Sequence, residues 1–192
     1  MARTNHFLLA RRLLKRATVV LLIPLASLAV WAGYVLATNN FHAIVPGEAY
    51  RSGQMSSNEL VRCLNRHGIR SVINLRGENF DKAWYRDEVS AVQTAGVVHR
   101  DLALSSRRSV TPRKADELVA LLEDLPKPVL IHCAGGADRV AFAAALYKAE
   151  IAGQPEEIAE RQFSMWYGYL PFFWKEKARL RESFRAYIRN GS

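Results

Sequence analysis

The sequence contains few cysteines and no acidic residue among its first 47 positions. Cys63 and Cys133 are the only two cysteines. They are too few for a disulfide framework, and no group of residues has the spacing of metal ligands. A pairing of these two cysteines stays open, since nothing in the sequence requires or forbids it. With 49% hydrophobic and 23% charged residues and no internal repeat, the chain is neither a disordered protein nor a repeat protein.

The net charge of +9 is unevenly distributed along the chain. No acid accompanies the five cations of residues 1–47, whereas the other 22 cations face 18 acids and leave only +4. The five are Arg3, Arg11, Arg12, Lys15 and Arg16. A strongly basic protein first suggests nucleic acid as its partner. Because more than half of the excess lies directly before an apolar run, its placement favours membrane orientation and argues against nucleic acid.

Residues 17–38 form a run without a single charge, and this run is long enough to cross a hydrocarbon core of about 30 Å. The cations before it predict that residues 1–16 stay in the cytoplasm and that the remainder lies outside, which in a bacterium is the periplasm. We therefore expect a single-pass transmembrane signal-anchor helix at 17–38, a tether at 39–46 and one domain at 47–192. A cleaved signal peptide ending near Ala37 is the alternative.

Strands alternate with helices over residues 47–192, which predicts an α/β domain. Residues 71–75 and 128–132 are short apolar runs, as is typical of buried strands. Helices are expected to begin after the caps at Ser56 and Thr111. This alternation predicts a small central sheet, mostly parallel and flanked by helices.

The most informative stretch reads His132-Cys133-Ala134-Gly135-Gly136-Ala137-Asp138-Arg139. It leads from a buried strand through a glycine-bearing loop into the N-terminus of a helix. Such a loop directs several backbone N–H groups to one place, and the helix adds the positive end of its dipole. The loop therefore predicts an anion nest suited to phosphate. Gly135 and Gly136 permit positive φ and close approach of an oxyanion.

Three side chains add reactive groups to this nest. The planar guanidinium of Arg139 can hold two phosphate oxygens. The cationic nest stabilises the thiolate of Cys133, and His132 is placed to orient and polarise the thiol. A thiolate at the base of a phosphate cradle is a nucleophile directed at phosphorus. A buried structural cysteine in a tight turn is the alternative interpretation.

The pattern His-Cys-x-x-Gly-x-x-Arg in this stretch resembles the signature of the protein tyrosine phosphatase superfamily, and its late position in a small domain is similar to the dual-specificity branch. The segments Tyr50–Gln54 and Val72–Arg76 resemble the early strands of atypical bacterial, plant and fungal members. The resemblance implies a dual-specificity phosphatase-like fold. It also implies attack by Cys133 on phosphorus, a thiophosphate intermediate, and stabilisation of the phosphoryl oxygens by Arg139 and the loop amides. No metal and no cofactor is implied.

The resemblance also implies a general acid that protonates the leaving oxygen, and two aspartates are candidates. The acid loop of the family corresponds here to Asp101–Arg108, but Asp101 lies inside the expected strand. Asp138 directly precedes Arg139, a placement similar to that in myotubularin-like lipid phosphatases, and is the preferred candidate. An acid at this position can alternatively cap the helix without taking part in catalysis.

Val140 departs from the family pattern, in which a Ser or Thr usually follows the arginine and its hydroxyl supports the thiolate. The valine predicts a less stabilised thiolate or slower breakdown of the intermediate. It also motivates an alternative function, a catalytically weak phosphate-binding pseudophosphatase. The intact Cys133 and Arg139 favour an active phosphate monoester hydrolase.

Basic and aromatic residues give two indications of the substrate. Arg107, with its neighbour Arg108, adds positive potential for a multiply charged substrate, unless both are simply solvated loop cations. Residues 172–181 mix aromatics and cations, so they either lie on anionic lipid headgroups or form a helix packed on its own domain. We expect the substrate to be a protein carrying phosphotyrosine or phosphoserine, or a phospholipid or lipid-linked phosphate.

Overall fold

The computed structural model describes residue 20 and residues 22–191. The chain divides into two units, Met1–Thr38 and Asn39–Ser192. The second unit contains the sheet, the loop at Cys133 and both hydrophobic clusters of the described residues. Everything that builds the candidate site therefore lies in this second unit.

Among the described residues of the first unit, residue 20 and residues 22–37 are helical, and we call this helix α1. The expected cytoplasmic segment 1–16 lies outside the described residues, and so does part of the expected span, at 17–19 and 21. Among residues 20 and 22–191, the structure has no helix with the length and apolar character needed to cross a membrane.

A five-stranded sheet forms the centre of the second unit. Its strands are β1 (His42–Val45), β2 (Ala49–Ser52), β3 (Ser71–Asn74), β4 (Val98–Asp101) and β5 (Val129–His132), in the spatial order β1-β2-β5-β3-β4. Strand β1 runs antiparallel to β2 and all other neighbours are parallel, which confirms the expected mostly parallel sheet. His132 is in register with Ser52 on one side and Asn74 on the other. The carboxyl ends of β2, β3 and β5 therefore meet at one edge.

The tether expected at 39–46 is wrong, because this segment belongs to the folded unit. It contains β1, which pairs with β2 at the edge of the sheet. Asn40, just before β1, is buried. An edge strand of only four residues is too short for its alternation of buried and exposed residues to stand out in the sequence.

Helices cover both faces of the sheet. They are α2 (Ser57–His67), α3 (Ala83–Thr94), α4 (Pro112–Asp124), α5 (Asp138–Leu146), α6 (Glu156–Ala159) and α7 (Lys175–Gly191). The expected caps are present: Ser56 forms a capping box with Glu59, and the hydroxyl of Thr111 accepts from the backbone N–H of Lys114. A wider π turn, Tyr147–Ile151, continues α5.

The two faces of the sheet contribute to different hydrophobic clusters. Ile73 and Ile131 pack with residues of α4, α5 and α7, whereas Val72 and Leu130 pack with residues of α2 and α3. Every residue of α5 from Val140 to Leu146 is buried. Because this helix is packed so tightly against the sheet, the loop that joins β5 to α5 has rigid supports at both ends.

Candidate active site

Cys133 follows β5 directly and lies in a pocket of about 350 Å³. We call residues 133–139 the cysteine loop. Cys133 is 3% exposed, and the pocket gives a ligand access to it. Other segments of the chain contribute Ser106, Arg107, Trp174, Glu176 and Lys177 to the pocket wall.

Hydrogen-bond donors of Asn40 and Gln54, two residues that precede α2 in the chain, hold carbonyl groups of the cysteine loop. The side-chain Nδ2 of Asn40 donates to the carbonyl oxygens of Gly135 and Gly136, each at 3.1 Å. The backbone N–H of Gln54 donates to the carbonyl of Ala134 at 3.0 Å. Three consecutive carbonyls are therefore turned toward the surrounding protein.

Arg51 also binds carbonyl groups of the cysteine loop. Its Nη2 donates to the carbonyls of Gly136 and Ala137, at 2.9 and 3.3 Å, and its Nη1 donates to Oε1 of Gln162 at 2.8 Å. The guanidinium lies 4.3 Å from the centre of the Tyr167 ring. Arg51 is fully buried, and burial lowers its pKa to about 10, so it is still a cation at neutral pH. No acid forms an ion pair with it within residues 20 and 22–191.

Four consecutive amide groups in the middle of the cysteine loop are left free. The backbone N–H groups of residues 134–137 donate to no protein acceptor in the part of the chain that the structure describes. Because the carbonyls are held on the protein side, these donors are available to an anion in the pocket. Free donors of this kind are what an anion nest requires, and the sequence predicts such a nest at these residues.

Gly136 must be glycine for this loop to close. Its φ is +65°, and a Cβ there would lie 2.5 Å from the backbone N of Gly53 and 2.6 Å from the carbonyl carbon of Ser52. Of the two glycines in the loop that permit positive φ, Gly136 adopts it and Gly135 does not. One left-handed residue is enough to turn the chain into α5.

One arginine ends the cysteine loop and a second lies close to it. The Nη1 of Arg139 donates to the carbonyl of Leu75 at 3.3 Å, which fixes the side chain against the end of β3. The guanidinium of Arg76 stacks on the Trp84 ring at 3.4 Å, and its Nη1 donates to Oε1 of Gln54 at 2.8 Å. Burial lowers the pKa of Arg76, and the nearby charge of Arg139 lowers it further. The two cations are therefore close enough to repel each other.

His132 is held by a buried carboxylate, Glu88 of α3. Its Nε2 lies 3.0 Å from Oε1 of Glu88, and Nε2 of His99 lies at the same distance from the same oxygen. The other oxygen accepts from Nε2 of Gln54 at 2.5 Å. Nδ1 of His132 is buried with no hydrogen-bond partner among the described residues. The ring is thus fixed through Nε2, and it does not line the pocket.

Asp101, the last residue of β4, does not line the pocket either. Its Oδ2 accepts from the hydroxyl of Tyr85 at 2.6 Å, and its Oδ1 accepts from Nδ2 of Asn74 at 2.7 Å. Burial raises the pKa of Tyr85, and the bond to this carboxylate raises it further. Both oxygens of Asp101 are therefore occupied in holding neighbouring elements together.

Asp138, in the first turn of α5, does line the pocket with Cys133. Its Oδ2 lies 3.0 Å from Nζ of Lys177 in α7. Its Oδ1 is buried and has no partner within residues 20 and 22–191. An unpaired oxygen in the wall of the pocket is available to a group bound there.

Seven of the residues singled out in the sequence come together in this pocket: Arg107, Cys133, Ala134, Gly135, Ala137, Asp138 and Arg139. His132, Gly136 and Asp101 are not part of its wall. The two cysteines are free, and burial raises the pKa of Cys63 to about 11. Among the described residues, no group of three or more His, Cys, Asp or Glu side chains is arranged so that it could hold a metal ion.

Three residues that support the loop were not predicted from the sequence: Asn40, Arg51 and Glu88. Arg51 lies in the segment Tyr50–Gln54, whose pattern indicates only a family resemblance, and Asn40 lies in the segment 39–46, which was expected to be a tether. Glu88 had one detectable signal, because a lone acid on the buried face of a helix is unusual unless it is paired. Its partners come from β4, from β5 and from the segment after β2, and only the fold brings them together.

The family model for PTP-SAK, the Swiss Army Knife protein DSP-PTPase phosphatase domain, matches residues 38–172. This is more than half of the chain and includes the whole cysteine loop. No curated protein sequence matches the chain.

Several solved structures are similar in fold. P. aeruginosa TpbA is 23% identical, covering 76% of this chain and 86% of its own, with a TM-score of 0.60. TpbA in complex with pTyr is 19% identical, covering 78% and 91%, with a TM-score of 0.58. PTPMT1 in complex with PI(5)P is 16% identical, covering 79% and 99%, with a TM-score of 0.59. Because all three identities are below 25%, the similarity to these structures shows the fold alone.

Proposed function

Because the chain belongs to the family of DSP-PTPase phosphatase domains, we propose that it is a cysteine-dependent phosphatase that hydrolyses phosphate monoesters. The main support is the set of donors around Cys133. Ala134, Gly135 and Ala137, whose backbone N–H groups are free, line the same pocket as Cys133 and Arg139. This arrangement of donors around a buried thiol suits a tetrahedral phosphate better than a neutral ligand.

In the first step, the thiolate of Cys133 attacks phosphorus. A sulfur–phosphorus bond forms while the bond between phosphorus and the leaving oxygen breaks. Asp138 gives its proton to that oxygen through the Oδ1 atom that has no protein partner, so an alcohol or phenol departs. Arg139 and the loop amides bind the equatorial oxygens, on which charge accumulates.

In the second step, water attacks the phosphorus of the thiophosphate. The sulfur–phosphorus bond breaks, the thiolate of Cys133 is regenerated, and inorganic phosphate is released. Asp138, now a carboxylate, accepts a proton from the attacking water. The buried cation of Arg51, which binds the carbonyls of Gly136 and Ala137, keeps the amides of the loop directed at the phosphate throughout.

Hydrolysis of 4-nitrophenyl phosphate by the purified chain, measured between about pH 5 and 8, tests this proposal. We expect turnover by the wild type and none by Cys133→Ser, which retains the shape of the loop. Arg139→Lys, which lacks the planar fork, is expected to lose most activity as well. Phosphate binding without turnover by the wild type would instead favour a phosphate-binding pseudophosphatase.

We also propose that residues 17–38 anchor the chain in a membrane with the phosphatase domain outside the cytoplasm. The support is the uncharged run itself, together with the five cations that precede it. Cell fractionation with an alkaline wash tests this: the chain should stay with the membranes, and protease added to spheroplasts should digest the domain. A soluble form that lacks residues 1–37 would instead show a cleaved signal peptide.

A further inference from the structure

Three consecutive aromatic side chains are exposed beside the pocket. Phe172, Phe173 and Trp174 are 58%, 69% and 52% exposed. Their rings contact each other, with centroids 4.8 Å apart for the first pair and 6.0 Å for the second. Trp174 also lines the pocket that contains Cys133. We call Phe172–Trp174 the aromatic rim. Large exposed apolar groups that cluster in this way mark an interaction surface.

Cations continue from the rim into the first turns of α7. Lys175 and Arg179 are exposed, and Nη1 of Arg179 donates to the backbone carbonyl of Arg107 at 3.2 Å, which ties α7 to the pocket wall. Nζ of Lys177 lies 4.5 Å from the centre of the Trp174 ring. Glu176 is the one acid in this stretch. The side of the pocket that carries the rim is therefore apolar and positively charged at once.

The opposite side of α7 is already occupied. Leu180 and Phe184 are buried in the main hydrophobic cluster, so the helix is held in place without any contribution from the rim. The rim is not needed to complete the core. The alternative that residues 172–181 only pack on their own domain therefore accounts for Leu180 but not for the three exposed rings.

The combination of rings and cations fits the surface of an anionic bilayer. Aromatic side chains partition to the level of the headgroups, and Lys and Arg side chains beside them are attracted to anionic lipid. A phosphopeptide would be recognised by cations and by backbone hydrogen bonds, and three neighbouring exposed rings would add a large apolar surface that it does not require.

We infer that the aromatic rim inserts into an anionic membrane surface and presents a lipid phosphate monoester to Cys133. This rests on the proposed phosphatase function and narrows its substrate class. In this account the acyl chains stay in the bilayer beside Phe172 and Phe173, and the phosphate enters the pocket past Trp174. Lys175 and Arg179 bind neighbouring anionic headgroups.

The unit Asn39–Ser192 is suitable for the test, because it excludes the uncharged run at 17–38. All members of both hydrophobic clusters of the described residues come from residues 41–188, so this unit has its own core. The probes are vesicles of phosphatidylcholine alone, vesicles with added phosphatidylglycerol, and vesicles with added phosphatidic acid as the lipid phosphate. Hydrolysis of 4-nitrophenyl phosphate in solution and circular dichroism report on the site and on folding.

Phe173→Ser is compared with Met165→Ser, which alters an apolar side chain of similar exposure, 60%, in a different pocket beside Glu157 and Glu160. The charge change Lys175→Glu is compared with Arg161→Glu. Arg161 lies in the same pocket as Met165, away from the aromatic rim. We expect Phe173→Ser and Lys175→Glu each to lower sedimentation with anionic vesicles, and the hydrolysis of phosphatidic acid in them, by about tenfold. Their activity on 4-nitrophenyl phosphate should stay within about twofold of the wild type, since neither group binds the phosphate.

Three results would overturn the inference. The first is a wild-type unit that does not sediment with anionic vesicles. The second is a rim variant that sediments as well as its control. The third is a rim variant that loses activity on a phosphotyrosine peptide while vesicle binding is unchanged, which would identify a peptide-docking surface. A wild type that sediments but does not hydrolyse 4-nitrophenyl phosphate would contradict the phosphatase function and leave the membrane surface supported.

Discussion

The Oε1 atom of Glu88 lies 3.0 Å from Nε2 of His132, the residue immediately before Cys133. Glu88 is only 2% exposed and also accepts from His99 and Gln54. Burial raises the pKa of Glu88, but the hydrogen bonds from His132 and His99 outweigh that effect and lower it to about 2. A buried anion therefore fixes the orientation of the imidazole behind the nucleophile.

Replacing Glu88 with Gln should slow the reaction of Cys133, because Glu88 holds the imidazole of His132, the residue before it. The substitution preserves the size of the side chain but removes the charge that holds the imidazole. We expect kcat/KM for 4-nitrophenyl phosphate to fall by about tenfold, and the alkylation of Cys133 by iodoacetamide at neutral pH to slow. Glu117→Gln, an exposed carboxylate paired with Lys114, is the control. If Glu88→Gln lowers the melting temperature but leaves the pH dependence of alkylation unchanged, the role of Glu88 is structural only.

The same carboxylate predicts how stability depends on acid. A carboxyl group whose folded pKa lies below its unfolded value of about 4.3 contributes stability that is fully present above the unfolded value. That contribution is lost as the pH falls through the folded pKa. We expect the free energy of unfolding, from urea titrations, to fall as the pH drops from about 4.5 toward 2, and to fall less steeply in Glu88→Gln. Parallel curves for the two proteins would contradict this assignment.

The general acid is distinguished by comparing Asp138→Asn with Asp101→Asn. Asp138 lines the pocket and has an unpaired oxygen, whereas both oxygens of Asp101 bind Tyr85 and Asn74. We expect Asp138→Asn to lower kcat by about 10²-fold or more on a substrate with a poor leaving group, and to remove the basic limb of the pH–rate profile. Asp101→Asn should keep that limb and lower thermal stability instead. If neither variant changes the profile, neither aspartate is the acid.

Val140→Thr should change activity and stability in opposite directions. Val140 is fully buried at the point where α5 leaves the loop, so a hydroxyl there costs about 1–3 kcal/mol of stability. The same hydroxyl follows Arg139 and can support the sulfur as a leaving group. We therefore expect a lower melting temperature together with faster breakdown of the thiophosphate, measured as a smaller burst relative to the steady rate. A lower melting temperature without faster breakdown would mean that Val140 does not limit the reaction.

The sequence was sufficient to predict the parts of the site that are local in the chain. The caps, the strand before Cys133 and the glycine loop depend on neighbouring residues, and the structure has them as expected. Alternating strands and helices likewise predicted the mostly parallel sheet. These features follow from short-range spacing and periodicity.

The residues that support the cysteine loop could not be predicted from the sequence, because each lies far from its partner along the chain. Asn40 is separated from Gly135 by 95 positions and Glu88 from His132 by 44, so no local pattern connects them. Strand β1 is also short and lies at an edge, which made residues 39–46 resemble a linker. Only the order β1-β2-β5-β3-β4 brings these segments together.

If Cys133 is the nucleophile, it carries the phosphoryl group during turnover, and this intermediate can be trapped. The protein is mixed with 4-nitrophenyl phosphate, quenched in acid, digested and analysed by mass spectrometry. We predict one added phosphoryl group on the peptide that contains Cys133. None is expected on the peptide that contains Cys63, whose thiol stays protonated because burial raises its pKa to about 11. Turnover without phosphorylation of Cys133, or turnover that survives Cys133→Ser, would contradict the account.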